Sequence, residues 1–262
     1  MSKLSITIEN LHFDYNEKTT VFEGHSLHLS IEPTQKNKLY GIIGPSGTGK
    51  TTLLSILGGQ LNPTTGKVAI NDTEIYKVDD SVRRQLIALQ MQTATSLRGK
   101  LRYNLVFGLP ASDEPIYTDA ELIKVLTQVG LWALFEPKDG LETLIGEGGL
   151  NLSGGQRQRL NFAGLYLRAK YFKPSLILID EPTSSLDEIS EQAITNMIDE
   201  LAEMSLTLVV AHRLKTLDTA AGILDISLAA EQKDLQFLDR KALVGSSKYY
   251  RDLRSGKANL ED

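Results

Sequence analysis

Nine consecutive residues carry the most explicit chemistry in this chain: Gly44-Pro45-Ser46-Gly47-Thr48-Gly49-Lys50-Thr51-Thr52. They follow an apolar run, Leu39 to Ile43, and precede a helical pattern, Leu53 to Leu57. A glycine-rich turn between a strand and a helix is the context a phosphate-binding loop needs. Glycines let the backbone fold tightly, so that successive N–H groups point at one anion, and the helix start adds partial positive charge. In such a loop Lys50 reaches the β- and γ-phosphates and the Thr51 hydroxyl holds Mg²⁺. The loop therefore implies a bound nucleotide.

Two further groups of residues suit the same chemistry. Asp180-Glu181 closes the apolar run Leu176 to Ile179. Neighbours leaving a strand point in different directions, so one carboxylate can serve a metal while the other faces a water. Asp180 is expected to act on Mg²⁺, and Glu181 as the general base or water-positioner for in-line attack on the γ-phosphate. Alone, the pair would read as a solvated turn; the loop upstream reverses that. Leu152-Ser153-Gly154-Gly155-Gln156 precedes a helix expected to run through Arg157 to about Ala169. Ser153 is a natural N-cap, and Gly154 and Gly155 expose N–H groups, which makes a second anion-binding helix start. Arg157 and Arg159 oppose the dipole of that first turn, so a phosphate or carboxylate partner is expected for them.

These groups need a scaffold that brings them together. Leu206 to Ala211 is a third apolar run, ending at His212-Arg213. Continuous apolar runs of this length read as strands buried on both faces. In a parallel α/β sheet their carboxyl ends share one edge, where ligands bind. Ser5 to Leu11, Leu27 to Ile31 and Lys67 to Ile70 alternate or run like half-buried strands, so an antiparallel layer flanks the loop. Pro33 to Lys38 reads as a polar turn, and about 93–173 as a helical insertion containing Glu121 to Leu126 and Trp132 to Phe135. Ile189, Ala193, Met197 and Leu201 repeat at helical spacing, and Lys248 to Arg254 reads as a short surface helix. Net charge is −5 over 262 residues with no cysteine. That argues against nucleic-acid binding through bulk positive charge, and excludes a disulfide framework or a cysteine zinc site. No apolar run approaches the roughly 20 residues that span a bilayer, and the N-terminus lacks a signal-peptide core.

With these motifs in this order, the chain resembles a nucleotide-binding domain of the ATP-binding cassette (ABC) family over nearly all of residues 5–225. Leu152 to Gln156 matches the family signature, Gly44 to Thr51 its Walker A, and Leu176 to Asp180 its Walker B with Glu181 adjoining. Ser184-Ser185-Leu186-Asp187 resembles the D-loop, His212 the switch histidine, Tyr15 the aromatic that stacks on adenine, and Gln92 the Q-loop glutamine. The resemblance implies an α/β P-loop NTPase core with a mostly parallel sheet, an antiparallel β subdomain and a helical insertion. It implies one domain over 1–262: a RecA-like core with its β layer at approximately 1–92 and 174–240, a helical subdomain at approximately 93–173, and an extension at approximately 241–262.

The family's arrangement is a head-to-tail pair of cassettes with ATP between one Walker A and the other's signature helix. Tyr15, Gly44 to Thr52, Gln92 and Asp187 would then meet ATP together with Ser153 to Gln156 of the opposite cassette. Thr51, Gln92 and Asp180 would hold Mg²⁺, and Lys50, Glu181 and His212 would carry the reaction. The implied partners are a second cassette and a transporter's transmembrane domain, without nucleic acid. The implied location is cytoplasmic, on the inner face of a membrane through that partner. Thr143 to Gly149 is similar to a segment of exporter-type cassettes that meets the membrane domain. Three departures stand out: Ala163-Gly164 where the family usually has Ala-Arg, Ala221 where an Asp usually follows, and a poor match over 226–262. Two rival readings are a soluble ABC ATPase of DNA repair, chromosome handling or translation, and a binding module without hydrolysis. The first lacks a coiled-coil arm or basic tail here; the intact Lys50, Asp180, Glu181 and His212 oppose the second.

Overall fold

The structure, a computed structural model, describes residues 4–16, 18–32, 34–92, 96–183 and 186–257. The D-loop residues Ser184 and Ser185, and Pro33 of the polar turn, lie outside the described residues.

The chain opens with a long hairpin, β1 (Leu4–Asn16) and β2 (Thr19–Ile31), antiparallel throughout. β3 (Leu39–Ile43) leads into helix α1 (Lys50–Leu57). β4 (Thr65–Ile70) and β5 (Thr73–Glu74) return to the hairpin layer. Helix α2 (Asp80–Leu86) runs into β6 (Ile87–Gln90). A helical stretch follows: α3 (Leu101–Val106), α4 (Asp119–Gln128), α5 (Trp132–Phe135) and α6 (Gly154–Phe172), with β7 (Gly99–Lys100) and β8 (Leu144–Ile145) forming a two-stranded ribbon. The Thr118 capping box starts α4, with Glu121 returning the hydrogen bond. The chain then alternates β9 (Leu176–Asp180), α7 (Glu188–Met204), β10 (Leu206–Val210) and β11 (Gly222–Asp225). It closes with β12 (Asp234–Leu235), α8 (Arg240–Ser246) and α9 (Lys248–Arg254).

Two five-stranded sheets result. The outer sheet has the order β12-β2-β1-β4-β5; the central sheet, β11-β3-β10-β9-β6, is parallel at every pairing. β3, β9 and β10 are buried at every position, which is why their sequences show no alternation. The alternation is instead between two cores. Leu39, Ile43, Ile177, Ile179 and Val209 pack with Leu160, Phe162 and the other helices of the insertion. Tyr40, Ile42, Leu176, Leu178, Leu208 and Val210 pack with α1 and the outer sheet. Burying one such side chain fully is worth about 2 kcal/mol, so the central sheet gains from both faces.

One expectation is corrected. Ile189 is 85% exposed, and the inward stripe of α7 is Ile194, Met197, Ile198 and Leu201. Asp187 caps α7, so Ile189 falls in the first turn and off that stripe. The segment Lys248–Arg254 is the expected surface helix, with Lys248, Arg251 and Arg254 exposed and its inner face, Tyr250 and Leu253, buried in the core that also holds the insertion helices. A polar lock seats it. The Asp225 carboxylate, 2% exposed, accepts from Ser227 N at 2.9 Å, from Ser227 Oγ at 2.7 Å and from the buried Ser247 hydroxyl. Ser247 Oγ in turn accepts from Tyr250 N at 2.8 Å, starting α9.

Candidate active site

Because the central sheet is parallel, the ends of β3, β9 and β10 meet at one edge. Gly44 to Gly49 leaves β3 there. Gly44, Gly47 and Gly49 have φ of 149°, 78° and 96°. At Gly47 a side chain would be strained by φ although nothing lies within 4 Å, leaving the loop tip open to a ligand. Pro45 O closes the turn by accepting from Thr48 Oγ1 at 2.8 Å. Ser46 is exposed beside Gly47. Gly49 precedes α1 without a side-chain cap, so the first-turn N–H groups of Lys50, Thr51 and Thr52 point to the loop's concavity. Lys50 is buried, its Nζ donating to Gly44 O at 2.7 Å and Pro45 O at 2.9 Å. A cleft of about 450 Å³ opens beside Gly47 and Thr48, walled by Thr19, Thr20 and Val21 of the hairpin and by Ser227.

Beneath the loop, Thr51 Oγ1 donates to Asp180 Oδ2 at 2.8 Å. Asp180 is fully buried, and its Oδ1 has no hydrogen-bond partner. Burial pushes its carboxyl above the ordinary value, with the Glu181 charge adding to the rise; the Thr51 hydroxyl, the Lys50 charge and the Gln92 backbone N–H oppose it. A buried carboxylate oxygen left without a donor, next to a hydroxyl, is a fitting donor set for a divalent cation.

Glu181 is one of the few non-glycine residues in the left-handed region, with φ 49°. Holding it there costs on the order of 1–2 kcal/mol, so its surroundings must over-determine it. Its N–H donates to Val210 O at 3.1 Å. Gln92 Nε2 donates to Oε2 at 2.7 Å, and His212 Nε2 lies 2.6 Å from Oε1. With a carboxylate opposite, that ring nitrogen carries the proton. Gln92 and His212, placed in sequence far apart, are thus both brought onto Glu181. Tyr15 stands at the rim: its OH is 3.0 Å from Thr52 Oγ1, its ring meets Phe13 edge-on at 5.0 Å, and it is 54% exposed.

The second anion-binding start is also formed. Ser153 Oγ accepts from Gln156 N at 3.2 Å and Gln156 Oε1 from Ser153 N at 2.9 Å, a complete capping box on α6. Ser153 and Gly154 are exposed, and no atom would crowd a side chain at Gly154. The two arginines have protein partners. Arg157 donates to Leu152 O at 2.6 Å and Gly149 O at 3.3 Å, and Arg159 to Val129 O, Gly130 O and Ser190 Oγ. Carbonyls of the loop before α6 engage Arg157, while Arg159 reaches the turn after α4 and the Ser190 hydroxyl, with its charge felt by the Asp187 carboxylate. Asp187 is occupied as the cap of α7, accepting from Ser190 N and Oγ at 2.9 Å each. Those two bonds hold its carboxyl below the ordinary value.

Several members of the neighbourhood carried no sequence signal. Gln158, 5% exposed, donates from Nε2 to the Glu181 carbonyl. Arg213, next to His212, pairs with the buried Glu191 at 2.5 Å, and Lys215 with Glu188 at 3.0 Å, tying the segment after β10 to α7. Gln158 lies two residues beyond the signature, and nothing in its type or spacing marked it.

Comparison with known proteins agrees with this geometry. The family model described as ABC transporter matches residues 25–184. The chain is 36% identical over 227 residues to the uncharacterized ABC transporter ATP-binding protein YwjA of Bacillus subtilis, covering 86% of this chain and 37% of that protein. It is 32% identical over 246 residues to a multidrug resistance ABC transporter ATP-binding and permease protein of Lactococcus lactis, covering 94% of this chain and 38% of that one. Among solved structures, a bacterial Atm1-family ABC exporter with ATP bound superposes with a TM-score of 0.82 at 25% identity, over 98% of this chain and 42% of the exporter chain. The chain thus spans less than half the length of each of these proteins. By its family model and its fold, the chain belongs to the ABC transporter family, as an ATP-binding domain.

Proposed function

We propose that this chain hydrolyses Mg²⁺-ATP between itself and a second cassette, and that this cycle drives a membrane-domain partner of exporter type. The observation that carries the reading is the buried Thr51–Asp180 pair, with an unpartnered carboxylate oxygen lying under an open phosphate loop. Thr51, Asp180 and Gln92 would hold the cation, which would neutralise charge on the β- and γ-phosphates. The loop amides and Lys50 hold the phosphates. Glu181 accepts the proton of the attacking water, and His212 and Gln92 hold its carboxylate in place. Tyr15, its OH beside Thr52 at the start of α1, supplies an exposed ring face for the base.

Pairing follows from the open Ser153 helix start, a second phosphate-binding element that matches the first. Asp187 would serve at that junction through the cap it gives α7. The names of relatives, which join ATP-binding and permease parts in one protein, support a membrane domain as the partner. Among the described residues no helix is long and apolar enough to cross a membrane, so a partner or another segment must supply that part. Exposed Leu97, Tyr103, Phe107, Leu144 and Leu150 on the helical part offer apolar surface for docking at the inner face of a membrane.

The test is Lys50→Ala, assayed by phosphate release with Mg²⁺ and saturating ATP. Loss of a charge aimed at developing phosphate negativity should lower turnover by at least about a hundredfold. Turnover like that of the native chain would place the phosphate site elsewhere.

A further inference from the structure

The hydrogen bonds that fix Glu181 come from different parts of the fold. Val210 O and His212 belong to the end of β10, and Gln92 to the end of β6. Gln158 alone comes from α6, the helix whose start is the Ser153 capping box. It sits within one further turn of that box and is buried, so water does not compete for its amide. The acceptor is the carbonyl of the left-handed residue itself, where a change in the bond would alter the backbone that aims the carboxylate. The next residue, Arg159, reaches Ser190 Oγ at 3.0 Å, and Ser190 is bonded to Asp187. One turn of α6 therefore holds both the residue that follows β9 and the start of α7.

We propose that Gln158 is a positioning residue for Glu181, and that through it the signature helix of one ATP site sets the hydrolytic geometry of the other. The proposal rests on the hydrolytic reading above. In a head-to-tail pair, Ser153 of this chain faces the nucleotide held by the partner, whereas Glu181 acts on the nucleotide held by its own loop. A rigid α6 carrying both contacts makes a shift at its N-terminus a shift of the Glu181 carbonyl. Ordering of one site by its phosphate is thereby passed to the base of the second, without any contact between the nucleotides.

Gln158→Met keeps length and burial and deletes the donor. Hydrolysis by the full chain is measured against ATP concentration, with ATP affinity read separately by a fluorescent nucleotide and folding by thermal melting. The turnover number should fall about tenfold to a hundredfold, the scale of a small misplacement of a catalytic group. ATP affinity should stay within about twofold, since ground-state binding is untouched. If the Met variant does not fold, Gln158→Leu, uncharged and without a donor, carries the same expectation. A turnover unchanged in the folded variant overturns the proposal, as does a joint loss of turnover, affinity and melting temperature. If the native chain shows no Lys50-dependent hydrolysis, the ATPase reading falls and this proposal with it. Lys50-dependent hydrolysis with a normal Met variant sinks only the role of Gln158.

Discussion

Replacing Asp180 with Asn should make the nucleotide-free protein more stable while it abolishes hydrolysis. Asp180 is fully buried, one of its oxygens has no partner, and burial raises its carboxyl above the ordinary 3.8. For a group raised in this way, the stability that comes from its protonated form is complete below 3.8 and is lost as pH rises through the folded value. At pH 7.5 the ionised carboxylate is therefore a net cost to the fold. Asn keeps an oxygen for the Thr51 hydroxyl and removes the charge, but leaves a polar atom unpaired. The gain is thus a part of the desolvation penalty of such a group, about 1–2 kcal/mol. At about 2.1 cal/mol/K per residue, a chain of 262 residues melts with an entropy of about 0.55 kcal/mol/K, so the midpoint should rise by about 2–4 °C. The assay is thermal unfolding of both proteins in EDTA without nucleotide, from pH 7.5 downward. The gap should narrow as pH falls through the raised value toward 3.8, where the native side chain is neutral as well. An Asn variant that melts at or below the native protein at pH 7.5 would refute the reasoning.

Glu181→Gln should trap an ATP-bound pair, because the amide keeps the shape and one acceptor of the carboxylate but cannot take a proton; light scattering at saturating ATP that shows only monomer would rule out self-pairing and require a different cassette. Ser153→Ala deletes half of the α6 capping box and should cost about 1 kcal/mol, a fall of about 2 °C in the melting midpoint, with a larger relative loss in ATP-driven pairing than in stability. Pairing that survives unchanged would mean the open start of α6 does not meet a phosphate.

The parts of the site legible in the sequence are those built from local pattern. The runs 39–43, 176–180 and 206–210 announced themselves because both faces of β3, β9 and β10 are covered, and their parallel order brings Gly44, Asp180 and His212 to one edge. The Ser153 cap was legible because a capping box is a spacing of three residues. What escaped depends on distant acceptors or on where an element begins. Arg159 finds carbonyls of the turn after α4, and no local rule names those partners. Ile189 misled because the Asp187 cap sets the phase of α7. The left-handed Glu181 gave no sign, since it is not a glycine and only its surroundings hold it there. β12 pairs parallel with β2, a strand from the opposite end of the chain, through only two residues each, too short for any periodicity to register.

The Asp225–Ser247 contact bears on where this domain ends. Matching by family stops at residue 184, and a fragment trimmed to the recognisable motifs would finish before Ser247. Such a cut leaves a buried acid without one of its donors, and strips Tyr250 and Leu253 from the main core. Asp225 closes β11, which lies against β3, and β3 launches the phosphate loop. The proper boundary of the working unit is thus a matter of hydrogen-bond bookkeeping rather than of homology: a shortened gene product would carry every recognisable motif and hold its own nucleotide loop on a loosened strand.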